Sequence, residues 1–351
     1  MQTQAEAEAR SLSPELCRRI ACHARAGDLP RLAQTNKAFQ LASEQRIYRQ
    51  LNLGVPETAF LCLNTIASSE RLGPYVHDLC IYVGDRRWQR HPLPHRYWQA
   101  VQLGMKKMRN LEFVYIHDPT GKNTFILNPT ELNFQVREAQ LLMDLDESMA
   151  NFLNSQHRVE RLQLADEPSQ TQLKPGALAH LQQFSGPLSV AAQLMTTRLT
   201  HVQIRIEDTS TPASLDHLFV HLSARMPLIS LNLLDIPRGH SVNVLQTVSK
   251  MWPDLKYIGC LSFPSRERER FHRSLATMHH LRIIEVYATS WEPQPIGAIQ
   301  KIFAAELYVF CPSLRLIAFW VGDTRSVWAL EDDKWIFQSH NPSIEPLWKT
   351  V

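Results

Sequence analysis

A hydrophobic phrase recurs along most of the chain: apolar-x-x-apolar-x-apolar. Its clearest copies are Leu228, Leu231, Leu233; Leu255, Ile258, Cys260; Leu281, Ile284, Val286; and Leu314, Ile317, Phe319. Earlier copies are Val76, Leu79, Ile81; Leu111, Val114, Ile116; Val159, Leu162, Leu164; and Leu199, Val202, Ile204, with a weaker one at Val136, Ala139, Leu141. The last two apolar residues of each copy stand two apart. That is the period at which strand side chains return to the same face. Each copy therefore predicts a half-buried strand, entered through a turn that its first apolar residue closes. Between copies the period changes to helical. Leu215, Leu218, Phe219, Leu222 and Met226 make one stripe, opened by Thr211-Pro212. Val244, Val248, Met251 make a second, and Phe271, Leu275, Met278 a third. Ile299, Ile302, Phe303, Leu307 and Phe310 make the longest. Proline punctuates the helix ends at Met226-Pro227, Trp252-Pro253 and Cys311-Pro312.

From Leu199 onward the first positions fall at 199, 228, 255, 281 and 314. One strand and one helix repeating at such an interval is the signature of a leucine-rich solenoid. The predicted fold is α/β: an irregular leucine-rich-repeat array over 54–325, with parallel strands inside and helices outside. The strict repeat places Asn three residues after the last strand apolar. Here those positions hold Pro119, Glu167, Glu207, Ile236, Phe263, Thr289 and Gly322, so the repeats are irregular. Residues 117–135 and 165–195 read as longer loops. Residues 326–351, with Trp328, Trp335, Phe337 and Trp348, read as a cap sealing the last repeat.

The front of the chain is patterned differently. Residues 1–11 read as a disordered tail. Over 12–53 three short amphipathic helices are predicted. Ser13 and Pro14 open the first, where Leu16 and Ile20 share a face and which Gly27 ends. Asp28 opens a second, with Leu29, Leu32 and Ala33 on a stripe; a third runs from Lys37 to Leu51, burying Phe39, Ala42, Ile47 and Leu51. So small a unit buries little surface and is usually completed by a partner or by the domain behind it.

This stretch resembles an F-box, through Leu12-Ser13-Pro14-Glu15-Leu16, Ile20, Asp28-Leu29, Leu32, Asn36, Phe39 and Tyr48. The usual opening is Leu-Pro-x-Glu-Leu/Ile; here Ser13 stands at the first proline, and the tryptophan often found near the end is absent. A small helical module followed by irregular repeats is similar to the fungal F-box/leucine-rich-repeat proteins. The resemblance implies a substrate-recognition subunit of a Skp-cullin-F-box ubiquitin ligase. Pro14, Leu16, Ile20, Leu29, Leu32 and Phe39 would dock on the Skp adaptor, and through it on a cullin. The repeats would bind a protein substrate, which the sequence does not identify. The competing expectation is a repeat scaffold with no ubiquitin link, in which 12–53 is an N-terminal cap.

Composition adds few constraints. A net charge of +3 gives no strong field toward nucleic acid or membrane, and no apolar run approaches the ~20 residues of a membrane helix. Six cysteines without a Cys-x-x-Cys pair, and no glycosylation sequon, suit a reducing cytoplasm or nucleus. No catalytic, phosphate-binding or metal-ligating spacing is present, so neither an enzyme nor a cofactor is expected. His279-His280 reads as a helix-to-strand turn. Arg266-Glu267-Arg268-Glu269-Arg270 reads as a solvated helix face. The stretch from Asp85 to Trp98 mixes cations and aromatics, but reads as a loop followed by a helix that turns Trp98 and Val101 to the core. The positions between strand apolars, such as Asn232, Gly259, Glu285 and Ala318, are expected on the open inner face.

Overall fold

A computed structural model describes residues 12–83, 92–165, 171–194, 198–206, 226–237, 239–289, 291–339 and 346–351. Internal contacts divide the chain into two units, Met1–Val159 and Glu160–Val351. Both are α/β, and among the described residues they hold thirteen strands and ten α-helices, with the strands not closed into a barrel.

In the first unit, α1 (Pro14–His23) begins where the Ser13 hydroxyl accepts from the Leu16 amide, with proline as first helical residue. It ends at Ala24, whose extended backbone stops it before Gly27. The short α2 (Leu29–Ala33) follows; Asp28 precedes it without making the expected cap. Asn36 caps α3 (Lys37–Arg49) by accepting from Phe39 N at 2.9 Å. The residues predicted to end that helix instead open β1 (Gln50–Leu53), which burial alternates as a strand. Then come α4 (Pro56–Ala67), β2 (Asp78–Ile81), α5 (His95–Met105), β3 (Phe113–His117), β4 (Glu138–Leu142) and α6 (Glu147–Ser155). The four strands are parallel and neighbour one another in chain order, with Leu51, Leu79, Val114 and Ala139 aligned across them. Residues 117–135 carry no α-helix, as expected, but they are not loose. The buried Asp118 carboxylate accepts from the amides of Thr120 and Asn123 and from both of their side chains, which ties the loop down.

The second unit runs β5 (Arg161–Leu164), β6 (Gln183–Pro187), α7 (Leu188–Gln193), β7 (His201–Arg205), β8 (Ser230–Leu234), α8 (Ser241–Met251) and β9 (Tyr257–Ser262). It continues with α9 (Arg268–Leu275), β10 (Ile283–Tyr287), α10 (Gly297–Phe310), β11 (Leu316–Val321), β12 (Thr324–Glu331) and β13 (Lys334–Ser339). Strands again neighbour one another in chain order, parallel from β5 to β11. The chain then doubles back: β11–β12 and β12–β13 are antiparallel. The second reversal uses Asp332 and Asp333, both at positive φ, the conformation of a two-residue hairpin turn.

Eight of the nine strand phrases lie in register as read, with their apolar residues buried. The ninth is corrected. In β9 a bulge intervenes, with Cys260 at φ 64°, so Ile284 aligns with Ile258 but Val286 with Leu261. Leu261, not Cys260, is therefore the third core residue, and Cys260 is turned toward Asn232, Glu285 and Tyr287. A second correction is β6, within a stretch expected to be loop. Its phrase, Leu181, Phe184, Gly186, ends on a glycine and so lacks the apolar signal. The stripe from Leu215 to Leu222 and the segment 1–11 lie outside the described residues.

Helices cover the phrase side of the strands in the second unit. Phe263 sits at its centre, with ring centroids 5.1 Å from Phe303, 5.6 Å from Trp291 and 5.7 Å from Phe271. The α10 stripe is rotated from expectation: Gln300, Phe303, Ala304 and Leu307 are buried, while Ile302 and Phe310 are exposed. Gln300 is inside because its amide serves both ends, donating to Pro295 O and accepting from Trp328 on β12.

Candidate functional site

In the first unit the structure separates the six residues expected from the sequence to dock an adaptor. Pro14, Leu16 and Ile20 are exposed, with Leu16 and Ile20 46% and 42% accessible, and Leu12 continues their strip. Leu29 and Phe39 are buried and Leu32 is half-buried, so these three hold the helices together. The inward side of α1 is carried by Cys17 and Ala21, four residues apart. Arg46 on α3 donates to the carbonyls of Ala21 and Ala24, satisfying the end of α1 with a cation. The outward strip is thus presented by a helix braced at both ends.

The first unit also has an apolar groove of about 310 Å³ lined by Pro56, Phe60, Leu61, Leu93, Pro94 and Tyr97. Glu57 and Arg96 are at its edge. Tyr97 is the lining residue whose ionisation is shifted, upward, by burial.

In the second unit the helix-free face of the sheet is ordered in rows that follow strand register. One row is His201, Ser230, Tyr257, Ile283 and Leu316. The next is Ser185, Gln203, Asn232, Gly259 and, after the bulge, Glu285 and Ala318. This second row is a hydrogen-bonded ladder. Gln203 donates to Ser185 (2.9 Å), Asn232 to Gln203 (2.8 Å), and the Tyr257 hydroxyl reaches Asn232 Oδ1 (3.3 Å) and Glu285 Oε1 (3.0 Å). Arg325 from β12 donates to Glu285 Oε1 at 2.7 Å and Trp320 to Oε2 at 2.9 Å. Gly259 is required here, because a Cβ would collide with the Tyr257 hydroxyl and Asn232 Oδ1.

The positions expected to lie open on this face do not. Asn232, Gly259, Glu285 and Ala318 are all buried. What covers part of the face is a segment from the far end of the sequence. Leu347 and Trp348, in a single 3₁₀ turn (Leu347–Lys349), pack on Tyr257, Ala318 and Val327. The expected cap is thus two separate elements. Trp328, Trp335 and Phe337 belong to the β12–β13 hairpin, whereas Trp348 lies across the helix-free face. Tyr287 and Trp320, ring centroids 6.1 Å apart, are only partly covered, as are Leu234 and the Arg205–Asp235 ion pair.

Burial and the Glu285 charge push the Cys260 thiol up to about 12. At pH 8.5, where a free thiol is about half ionised, Cys260 stays protonated and shielded. Alkylation followed by peptide mass mapping is expected to modify exposed Cys22 at least tenfold faster than Cys260. Equal rates would contradict the described packing of β9.

Trp98 and Val101 face the core, as read, and His95 stacks on Phe125 at 5.0 Å; the preceding cations at 85–90 lie outside the described residues. His279 and His280 are exposed, with His280 3.6 Å from Asp254, and no three metal-ligating side chains cluster among the described residues. The alternating run at 266–270 is not wholly solvated. Arg268 sits 5.2–5.4 Å from the centroids of Phe263, Trp291 and Phe303 and pairs with Glu306. Beside it, His272 stacks on Phe310 at 4.1 Å; burial and the Arg268 charge hold its proton affinity below the usual value. Among the described residues no helix is long and apolar enough to cross a membrane.

Searches of protein-family models and of curated proteins find no match to this chain.

Proposed function

We propose that this chain is the substrate-recognition subunit of a Skp-cullin-F-box type ubiquitin ligase, acting in the cytoplasm or nucleus. In this reading residues 12–53 are a degenerate F-box and the strand–helix units that follow are irregular leucine-rich repeats. The chain carries no catalysis. It holds a protein substrate near a conjugating enzyme supplied by other subunits, which raises the effective concentration of target lysines. The observation that carries the reading is the exposed strip Leu12, Leu16, Ile20 on a braced N-terminal helix, a surface that water alone leaves unsatisfied. The six free cysteines support a reducing compartment.

Co-expression with the Skp adaptor is expected to give a stoichiometric complex. Leu16→Asp with Ile20→Asp should weaken it at least about a hundredfold, since two apolar anchors are lost. Both residues face solvent, so the double variant is expected to keep the parent's circular dichroism and melting temperature. An adaptor that binds the variant as well as the parent would remove the F-box assignment.

A second reading, a repeat scaffold without a ligase, is favoured by one feature. Helix α3 runs without a break into β1, the first strand of the sheet, so 12–53 also serves as the cap of the array. Capture of partners with no cullin-ligase subunit among them would select it.

A further inference from the structure

We propose that the helix-free face of β7–β11 is a docking site for a short peptide in which an aliphatic residue precedes an aromatic one, and that Pro346–Val351 is its intramolecular occupant. The segment has the features of a bound peptide. Its main-chain bonds run within itself, from Lys349 N to Pro346 O and from Thr350 N to Leu347 O, so it is not a strand of the sheet. Two inner-row side chains read its backbone: the Ser230 hydroxyl donates to Trp348 O at 2.7 Å, and His201 Nε2 lies 3.1 Å from Val351 O. Both contacts are to main-chain oxygens, so they would accept any side-chain sequence. Selectivity comes instead from the hollow that takes Leu347 and Trp348, floored by Tyr257, Ala318 and Val327 and edged by Ile283 and Leu316.

The floor is held rigid by hydrogen bonds. The Tyr257 hydroxyl is fixed by Asn232 and Glu285, and Glu285 by Arg325 and Trp320, so the ring cannot swing out to fill the hollow itself. Trp348 is 3% accessible, a large apolar ring held by a segment of only six described residues. An aromatic anchor in a preformed pocket, with main-chain oxygens bonded at its flank, is the arrangement of a peptide hot spot. A tethered occupant acts at an effective concentration of about a millimolar, so it excludes weak ligands and yields to tighter ones. The inference rests on the strand array being the partner-binding part of the protein. It adds that the array is self-occupied and that the incoming ligand is an aliphatic–aromatic peptide.

The test uses the full chain and a fluorescent peptide, Pro-Leu-Trp-Lys-Thr-Val, equivalent to residues 346–351. The Leu347→Ala, Trp348→Ala variant should bind this peptide at least about tenfold more tightly than the parent. Replacing Leu-Trp by Ala-Ala in the peptide should abolish binding. Adding Ser230→Ala to the released variant should weaken it about fivefold. A folded variant that binds no better than the parent overturns the proposal. Should the variant fail to fold, hydrogen exchange on the parent decides. Amides of 347–350 should exchange at least about tenfold faster than those of β9 and β10, and faster still with excess peptide. Exchange only through global unfolding, unaffected by peptide, would make the segment a fixed part of the core and overturn the proposal. The Leu16→Asp, Ile20→Asp chain should behave as the parent in these assays, so loss of adaptor binding and loss of peptide docking are separable.

Discussion

Glu285→Met is expected to lower the unfolding free energy by about 3–5 kcal/mol. The cost arises from what the carboxylate leaves behind. Glu285 is 5% accessible and accepts from Tyr257, Trp320 and Arg325. Its removal strands the Arg325 guanidinium, 3% accessible, among Trp320 and the apolar residues of β11 and β12. A buried charge without its counter-charge is far costlier than a missing salt bridge at the surface, which is about 0–1 kcal/mol. Arg325→Met should cost a similar amount for the converse reason. The double variant Glu285→Met, Arg325→Met should recover most of the loss, because an apolar pair of like volume needs no compensation. Urea unfolding of the four proteins gives the coupling energy directly. If the single variants cost under 1 kcal/mol, water reaches the pair and the ladder is not sealed as described.

Phe263→Ala should be comparably severe, about 3–5 kcal/mol. Its ring touches Phe271, Trp291 and Phe303, and its carbonyl accepts the Trp291 indole N–H at 2.9 Å. The cavity would open where β9, α9 and α10 meet, and it would also remove one of the rings on which the Arg268 guanidinium rests. Near-ultraviolet circular dichroism should therefore lose intensity along with stability. Phe310→Ala is the control: that ring is exposed and stacks only on His272 among the described aromatic pairs, so its loss should stay near 1 kcal/mol or less. Equal losses at both sites would mean that the aromatic centre lies elsewhere.

Strands were legible in the sequence wherever the side-chain period was undisturbed. Leu79 and Ile81, or Leu231 and Leu233, announce a buried face because only a strand returns side chains at every second residue. The β9 bulge was not legible. Nothing in Gly259-Cys260 marks a residue at φ 64°, and the collision that forces glycine involves Tyr257 and Asn232, which only the folded register brings together. Strand β6 was hidden by Gly186, which supplies no apolar signal, and β1 by Leu51, which suits a helix stripe equally well. The α1 strip was readable from Leu16 and Ile20, but Leu29 and Phe39 share the same helical period and turn inward. Periodicity defines a face, not which neighbour covers it. The same limit explains the helix-free face: Asn232 and Glu285 look like display positions until Trp348, distant in sequence, is seen to pack on Tyr257 and Ala318 of the same face. Arg268 escaped because an alternating charge run describes a solvated surface until rings from three other positions enclose one member of it.

The reversal of direction after β11 has an effect on how long such an array can be. A parallel stack leaves its last strand with unpaired amides and carbonyls, and that bare edge accepts either another unit or a foreign strand. Here β12, entered through Gly322-Asp323, takes up those groups at once, and β13 pairs with β12 in turn. Any unit gained by duplication must then be inserted upstream of β11, where the direction still matches, and cannot be appended beyond the hairpin without rebuilding it.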